Sequence, residues 1–399
     1  MSRCQLCCIR CLCDFCTDKR EYKRKLFNNR FLKVEQAVEP SLILWENLGV
    51  TKRHRRFRIL ISSLSALVLL IATTLLILYV KIKENEISKN QIRCTAANEI
   101  TREEALTDFG LPKDKQLQLM YCYCRNLFWS SLLEGRNPSP ALSESFADGQ
   151  SHCEDWFGQY TLHQAMLYSV PFSIIFVNWV SKTILRLMTH LEGYQSKPEE
   201  VYASSINMFI MAFINSGLVI QLVYFKWVPG TNLPLVLNKY DKFSQAWYRE
   251  IGSTIVITLM LMVFMPHVGN VAFQCFYGCR RCTDRGCTCD ERNTRKLVQE
   301  DYENINTGNE FMLEFRYSNI LTVLSVAFLY SGGMPILYPV AAFYFLITFW
   351  VDKCLLFHCY RRPIKFDNYI ARKTLNYFQL VLVLHIVGFL FMQVYSPIL

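Results

Sequence analysis

The sequence has little charge for its length, and it lacks the common motifs of soluble enzymes. Of its 399 residues, 19% are charged and 52% are hydrophobic. It contains no glycine-rich phosphate loop, no nucleophile elbow and no His-Glu-x-x-His pair. His163, His190 and His267 are scattered without a neighbouring carboxylate pattern, which argues against a catalytic metal site. We therefore expect a protein that is not an enzyme.

The hydrophobic residues come in long blocks, which a soluble domain of this size does not have. Phe57–Val80 is charged only at Arg58. As a helix it would extend about 36 Å, more than a hydrocarbon core of about 30 Å. Similar blocks follow at 162–187, 204–225, 251–275, 317–330, 336–351 and 375–393. Because the blocks are too long and too apolar for barrel strands, they predict an all-α, polytopic transmembrane helical bundle of about seven spans.

Basic residues set the predicted orientation of the bundle. Lys52, Arg53, Arg55 and Arg56 precede the first span, and such clusters stay on the cytosolic side. Since no cleavable signal precedes them, we expect a cytosolic N-terminus. The predicted segments outside the spans are a cytosolic tail rich in cysteine and basic residues (1–26), a remnant of a cytosolic domain (27–56), an exoplasmic loop (81–161) and a cytosolic cysteine-rich loop (276–316).

The segment 317–351 must begin and end on the same face in this topology, so it is predicted to form a transmembrane hairpin. Gly332, Gly333 and Pro335 break the helix and supply the turn. Gly252 and Pro266 offer a weak point and a kink in the 251–275 span. These five residues are the candidates for hinge or gating positions.

Fourteen of the 17 cysteines fall into two predicted environments. Cys94, Cys122, Cys124 and Cys153 lie in the exoplasmic loop, where disulfides persist, and two disulfides with three open connectivities are expected. The cytosolic clusters contain Cys4, Cys7, Cys8, Cys11, Cys13, Cys16, Cys279, Cys282, Cys287 and Cys289. Their Cys-x-x-Cys pairs suit structural zinc, whereas basic juxtamembrane cysteines suit S-acylation, and both alternatives stay open. No other cofactor is expected.

Polar side chains inside the spans mark a candidate ion pathway, because each costs a few kcal/mol in lipid unless it faces protein or water. These candidates are Asn178, Asn215, Gln221, Ser253, Thr254, Thr258 and His267. Packing between helices is the alternative for each of them. Together they would allow a water-lined groove between the middle spans.

Four stretches carry a resemblance to one family. FLKVEQAVEPSLILWENLGV (31–50) resembles the end of its cytosolic domain, in which Trp45 and Leu48 are expected to anchor the chain against the helices. Residues 178–218 look like its paired pore-side helices, with Glu192 at the cytosolic turn. WYREIGSTIVITLMLMVFMPH (247–267) is similar to its gating helix, and 315–353 to its hairpin signature. The family is that of the calcium-permeable, osmosensitive and stress-gated (OSCA-like) cation channels, with their animal transmembrane relatives and, distantly, the anoctamins.

The resemblance implies a mechanosensitive, nonselective cation channel, with the ion path inside each subunit between the first four spans and the first arm of the hairpin. Relatives on the same scaffold move lipids, so a phospholipid scramblase is the alternative. Members of the family are longer, so the chain is expected to be a shortened member, and a non-conducting subunit is the third alternative. We expect membrane lipids and cations including Ca²⁺ as partners, no nucleic acid, and the plasma membrane as the location. A homodimer and an endomembrane location stay open.

Overall fold

The computed structural model describes residues 26–27, 30–31, 39–89, 113–137, 151–225, 240–288, 290, 292–361, 366 and 368–395. The chain divides into two compact units, Met1–Ile43 and Leu44–Leu399. In the first unit, strands β1 (Leu26–Phe27) and β2 (Arg30–Phe31) pair antiparallel, with Leu26 opposite Phe31. A 3-10 turn follows at Pro40–Leu42.

The described part of the second unit is helical. Its helices are α1 (Lys52–Lys89), α2 (Lys113–Leu133), α3 (His152–Leu191), α4 (Lys197–Phe213), α5 (Val219–Tyr224), α6 (Gln245–Trp247), α7 (Ser253–Asp284), α8 (Gln299–Asn306), α9 (Leu313–Tyr330), α10 (Leu337–His358) and α11 (Tyr369–Val394). Two π-helical segments join them, Ile214–Leu218 between α4 and α5 and Tyr248–Gly252 between α6 and α7. The predicted all-α class is confirmed.

Within the described residues, six stretches of helix are long and apolar enough to cross a membrane. They are Lys52–Val80, Tyr168–Leu191, Lys197–Leu218, Gln245–Asp284, Leu337–His358 and Tyr369–Val394. The chain is therefore a polytopic helical membrane protein. The seventh predicted span, 317–330, falls within α9, which lies outside this set because Glu314, Arg316 and Asn319 make its first turns polar.

Two helices extend well beyond the predicted apolar blocks. α3 begins at His152, inside the predicted exoplasmic loop, and α7 continues to Asp284, inside the predicted cytosolic loop. The first turn of α3 carries Glu154 and Asp155, and acidic side chains stabilise the N-terminus of a helix through its dipole. Hydropathy marks the part of a helix that lipid surrounds, so it underestimates helices that continue into water.

α9 is the central helix of the bundle and packs against α4, α10 and α11. Its buried face includes Ser318, Thr322 and Ser325, which are fully buried. Small residues at helix interfaces let neighbouring backbones approach closely. Gly388 lets the backbone of α11 approach α9 closely, because an added Cβ atom there would overlap the Leu329 carbonyl oxygen of α9.

The chain reverses direction between α9 and α10, with the turn at 331–336. The Arg316 guanidinium near the start of α9 lies 3.0 Å from the Asp352 carboxylate near the end of α10. The two helices therefore form an antiparallel hairpin. Gly332 and Gly333 lie in its turn and Pro335 is exposed there.

The segment before α1 is held by backbone contacts with the turn between α3 and α4. The Leu44 amide donates to the Gln195 carbonyl oxygen at 3.0 Å, and Asn47 Nδ2 donates to the Tyr194 carbonyl oxygen at 2.9 Å. The expectation that Trp45 and Leu48 anchor this segment is wrong, because their side chains are 64% and 48% exposed. The short 3-10 helix Trp45–Asn47 directs Asn47 towards the turn instead.

Candidate functional site

A large cavity lies between α3, α7 and α9, with a volume of about 1360 Å³. Along α3 its lining runs from Phe172 to His190, which corresponds to about 27 Å of helix. Along α7 the lining runs from Met262 to Tyr277. The cavity therefore extends from the interior of the bundle to the predicted cytosolic ends of these helices.

One wall of the cavity opens sideways, between α3 and α7. Phe176 and Trp179 on α3 and Val268 and Phe273 on α7 line the cavity, and each is more than half exposed. In a membrane, these side chains would contact the hydrocarbon of the lipids. The cavity is thus a groove that is accessible from the bilayer as well as from its predicted cytosolic end.

Polar side chains form a stripe along the α3 wall. Asn178, Lys182, Arg186 and His190 line the cavity at four-residue spacing. Residues four apart lie on the same face of a helix. The same spacing relates Met262, Pro266, Asn270 and Gln274 on the opposite wall, α7. The groove therefore has one strongly polar wall and one mixed wall.

Two predicted pathway residues, Asn178 and Asn215, meet at the inner end of this stripe. Asn178 Nδ2 donates to Ser216 Oγ at 2.8 Å, and Asn215 Nδ2 donates to Asn178 Oδ1 at 3.1 Å. Thr73 Oγ1 of α1 donates to Asn215 Oδ1 at 3.3 Å. The network joins α1 and α3 to the π-helical segment Ile214–Leu218 and is buried.

The π-helical segment is itself in close contact with α9. The Tyr330 hydroxyl donates to the Gly217 carbonyl oxygen at 2.5 Å, and an added Cβ at Gly217 would lie 3.1 Å from Val326 Cγ2. π-Helical turns occur often at functional sites. Here the π turn contains Asn215 and Ser216, and both side chains hydrogen-bond to Asn178.

Five other predicted pathway residues lie away from the cavity lining. Ser253, Thr254 and Thr258 donate to backbone carbonyl oxygens three or four residues earlier in their own helix, at 2.6–3.4 Å. Gln221 is 5% exposed, and its side-chain amide has no hydrogen-bond partner among the described residues. His267 has a buried Nδ1 without a hydrogen-bond partner in the described part of the chain. Like Asn215, none of the five lines the cavity.

The three glycines among the hinge candidates are sites of close packing. An added Cβ at Gly252 would lie 3.0 Å from Met334 Sδ, and one at Gly332 would lie 2.9 Å from Phe389 Cα. At Gly333 an added Cβ would overlap the Met392 side chain. Pro266 lies within α7, which continues through it, and lines the cavity. The turn 331–336 therefore sits directly on α11 and on the start of α7.

Two charged residues on the α3 wall of the groove were missed by the sequence reasoning. Lys182 is 5% exposed and donates to Asn319 Oδ1 of α9. One turn further along α3, Arg186 Nε lies 2.8 Å from Glu314 Oε1. This ion pair joins α3 to α9. The four-residue spacing from Asn178 was visible in the sequence and could have identified both cations.

The turn between α3 and α4 contains Glu192, the residue implied to lie at the cytosolic turn. Glu192 is buried. The burial of the neighbouring Tyr194 raises the pKa of its phenol, and the Glu192 carboxylate adds to this effect. Arg58 Nη1 donates to the Leu191 carbonyl oxygen at 3.3 Å. The first span is therefore connected to the end of the polar stripe on α3.

The cysteines behave differently on the two sides of the predicted membrane. Cys124 and Cys153 form a disulfide that joins α2 to α3, and Cys122 is also disulfide-bonded. Cys94, the six cysteines from Cys4 to Cys16, and Cys289 lie outside the described residues. Cys279, Cys282 and Cys287 are exposed, with Cys282 Sγ 3.0 Å from Cys287 Sγ. The described residues contain no group of three or more His, Cys, Asp or Glu side chains arranged to hold a metal ion, so zinc and S-acylation stay predictions.

Comparison with known proteins gives no family for the chain. No protein-family model matches it, and a search of curated proteins finds no match either.

Proposed function

We propose that the chain is a mechanosensitive or osmosensitive, nonselective cation channel that passes calcium, with the ion path in the groove between α3, α7 and α9. The observation that carries the proposal is the cavity of about 1360 Å³, lined by the polar stripe on α3, inside a bundle of membrane-spanning helices. Polar and ionisable groups in a membrane are costly, and they mark water-filled pathways. The sequence resemblance to stress-gated channels supports the same function.

An apolar seal supports a gated pore rather than an open one. Ile174 of α3 and Ile255 and Leu259 of α7 are almost fully buried and belong to one continuous apolar cluster. Met262 belongs to this cluster and also lines the cavity, so the cluster borders the inner end of the groove. Hydrophobic constrictions stop conduction by excluding water. In the proposed channel, this conformation would be the closed state, and tension would open it by separating α3 from α7.

The test is patch recording from liposomes that contain the purified protein. Suction should evoke single-channel currents carried by Na⁺, K⁺ and Ca²⁺, whereas liposomes without protein should stay silent. Silence at every tension up to rupture of the membrane would contradict channel function.

The lateral opening of the groove favours a second candidate function, phospholipid scrambling. Its aromatic rim (Phe176, Trp179) could accommodate acyl chains while the cationic stripe (Lys182, Arg186) contacts head groups. Fluorescent lipid and dithionite in the same liposomes separate the two candidates. Loss of fluorescence beyond the outer-leaflet half, without any current, would favour scrambling over conduction. The absence of both signals would favour a non-conducting subunit.

A further inference from the structure

Lys182 is a charged side chain buried in the membrane-spanning part of α3. It is 5% exposed and lines the cavity. About 13 Å of helix separates it from Leu191, the last residue of α3. A charged group at such a depth is costly and usually has a functional role. The position of Lys182 therefore needs a functional explanation.

In the described part of the chain, Lys182 has one hydrogen-bond acceptor and no carboxylate partner. Its ammonium group donates to Asn319 Oδ1, a neutral acceptor, although an ammonium has three N–H donors. Among the described residues Lys182 forms no ion pair. Water or an anion in the cavity would satisfy the remaining donors.

The other lysine and arginine side chains that line the cavity do have carboxylate partners. These pairs are Arg186 with Glu314 at 2.8 Å, Arg316 with Asp352 at 3.0 Å and Lys197 with Glu200 at 3.2 Å. Glu310 also lines the cavity, is exposed in the loop before α9 and has no ion-pair partner among the residues that the structure describes. Lys182 is therefore the net positive charge in the deep part of the groove, one helical turn from the Asn178 network.

A fixed positive charge beside an ion path discriminates between cations by valence. Its repulsion of Ca²⁺ is twice its repulsion of Na⁺, because the Coulomb energy is proportional to the charge of the ion. For an ion about 10 Å from the lysine ammonium group and an effective permittivity of about 20, the second unit of charge on Ca²⁺ lowers its occupancy relative to Na⁺ roughly tenfold.

We infer that Lys182 lowers the permeability of the groove to calcium relative to monovalent cations, without excluding calcium. This inference rests on the proposed channel function and names the residue that sets its ion preference. Asn319 acts as a positioning residue, because its side-chain oxygen holds the ammonium group against α9.

The test is the reversal potential of tension-evoked current under bi-ionic conditions, with CaCl₂ on one side of the patch and NaCl on the other. Lys182→Gln keeps a donor for Asn319 but removes the charge, so the calcium-to-sodium permeability ratio should rise roughly tenfold. Lys182→Arg should keep the wild-type ratio. Lys353→Gln is the matched control, because Lys353 is exposed and does not line the cavity.

A second variant keeps the inference falsifiable should Lys182→Gln fail to accumulate. Asn319→Asp places a carboxylate on the hydrogen-bond partner of Lys182 and should raise the ratio in the same direction. If the variants conduct with the same reversal potential as the wild type, the role of Lys182 is overturned, while channel function stands. Absence of any wild-type current overturns channel function and this inference together.

Discussion

The Arg316 Nε atom lies 3.0 Å from Asp352 Oδ2, and both side chains are mostly buried. Arg316 Nη2 also donates to the Tyr360 hydroxyl at 3.2 Å, which in turn donates to Asn270 Oδ1 at 2.8 Å. These contacts hold the ends of α9 and α10 beside α7. They make the two arms of the hairpin and one wall of the groove a single connected unit.

Breaking this ion pair should destabilise the protein. Asp352→Asn leaves the Arg316 charge buried without its partner, and we expect a loss of about 3 kcal/mol in the free energy of unfolding. Thermal unfolding in detergent, followed by size exclusion, measures it. The matched control is Glu134→Gln, which removes a carboxylate from the exposed pair with Arg136 and should cost less than about 1 kcal/mol. Equal effects of the two substitutions would show that the Arg316–Asp352 pair does not stabilise the hairpin.

Weakening the apolar seal should open the channel at lower tension. Leu259→Ser introduces a hydroxyl into the buried cluster that borders the cavity, where it would favour water entry. Its neighbour Met260 is 40% exposed, so Met260→Ser serves as the control on the same helix. We expect activity without suction, or a lower pressure for half-maximal activation, in Leu259→Ser alone. If the two variants gate alike, the buried cluster is not the gate.

The Asn178–Asn215 network should contribute to the stability of the bundle. Asn215→Leu removes hydrogen bonds to Asn178 and Thr73 and leaves two buried polar groups with fewer partners. The expected loss is about 1–2 kcal/mol in the free energy of unfolding. Asn207→Leu on α4, where the side chain is only partly buried, should change stability less. A double-mutant cycle of Asn178→Leu with Asn215→Leu should show coupling, and strict additivity would contradict the network.

The cysteines test the predicted sidedness of the membrane. The Cys124–Cys153 disulfide requires an oxidising compartment, whereas the exposed thiols at the end of α7 are predicted to face the cytosol. In intact cells, a membrane-impermeant maleimide should label cysteines of the predicted exoplasmic loop only after an impermeant reductant has been added. Cys279 should be labelled only after permeabilisation, so its labelling in intact cells would reverse the proposed topology.

The same disulfide should stabilise the loop that it closes. Cys124 and Cys153 are separated by 29 residues, and a loop of this length corresponds to about 3–4 kcal/mol in the chain-entropy account. The double substitution to Ala should lower the midpoint of thermal unfolding accordingly. Replacing the exposed Cys279 with Ala provides the control and should leave the midpoint unchanged.

The spans could be predicted from the sequence because lipid imposes both length and composition on them. Phe57–Val80 is strongly apolar, and most of this part of α1 is not covered by the rest of the protein. In a membrane, that surface would contact lipid. α9 is harder to predict as the centre of the bundle, because Arg316 and Asn319 lower its hydropathy. Its burial depends on partners that lie far away in the chain, such as Asp352.

The candidate site could be predicted only in part, for a related reason. Composition identifies polar residues in spans, but which face of a helix meets the groove depends on the neighbouring helix. Thr254 and Thr258 were selected for their polarity, yet their hydroxyls bond to their own backbone. Lys182 and Arg186 were overlooked as charged residues near a span end, although their four-residue spacing from Asn178 places them on one face.

The measurement that tests the account most directly is covalent modification of the groove during recording at constant tension. Gly269 lines the cavity and has open space around an added Cβ, so Gly269→Cys should accept a thiosulfonate that carries a trimethylammonium group. Gly278 has the same open space on the same helix but does not line the cavity, which makes Gly278→Cys the matched control. We predict that the reagent lowers single-channel conductance in Gly269→Cys and leaves wild type and Gly278→Cys unchanged. Unchanged conductance in a fully modified Gly269→Cys protein would contradict the claim that ions pass between α3, α7 and α9.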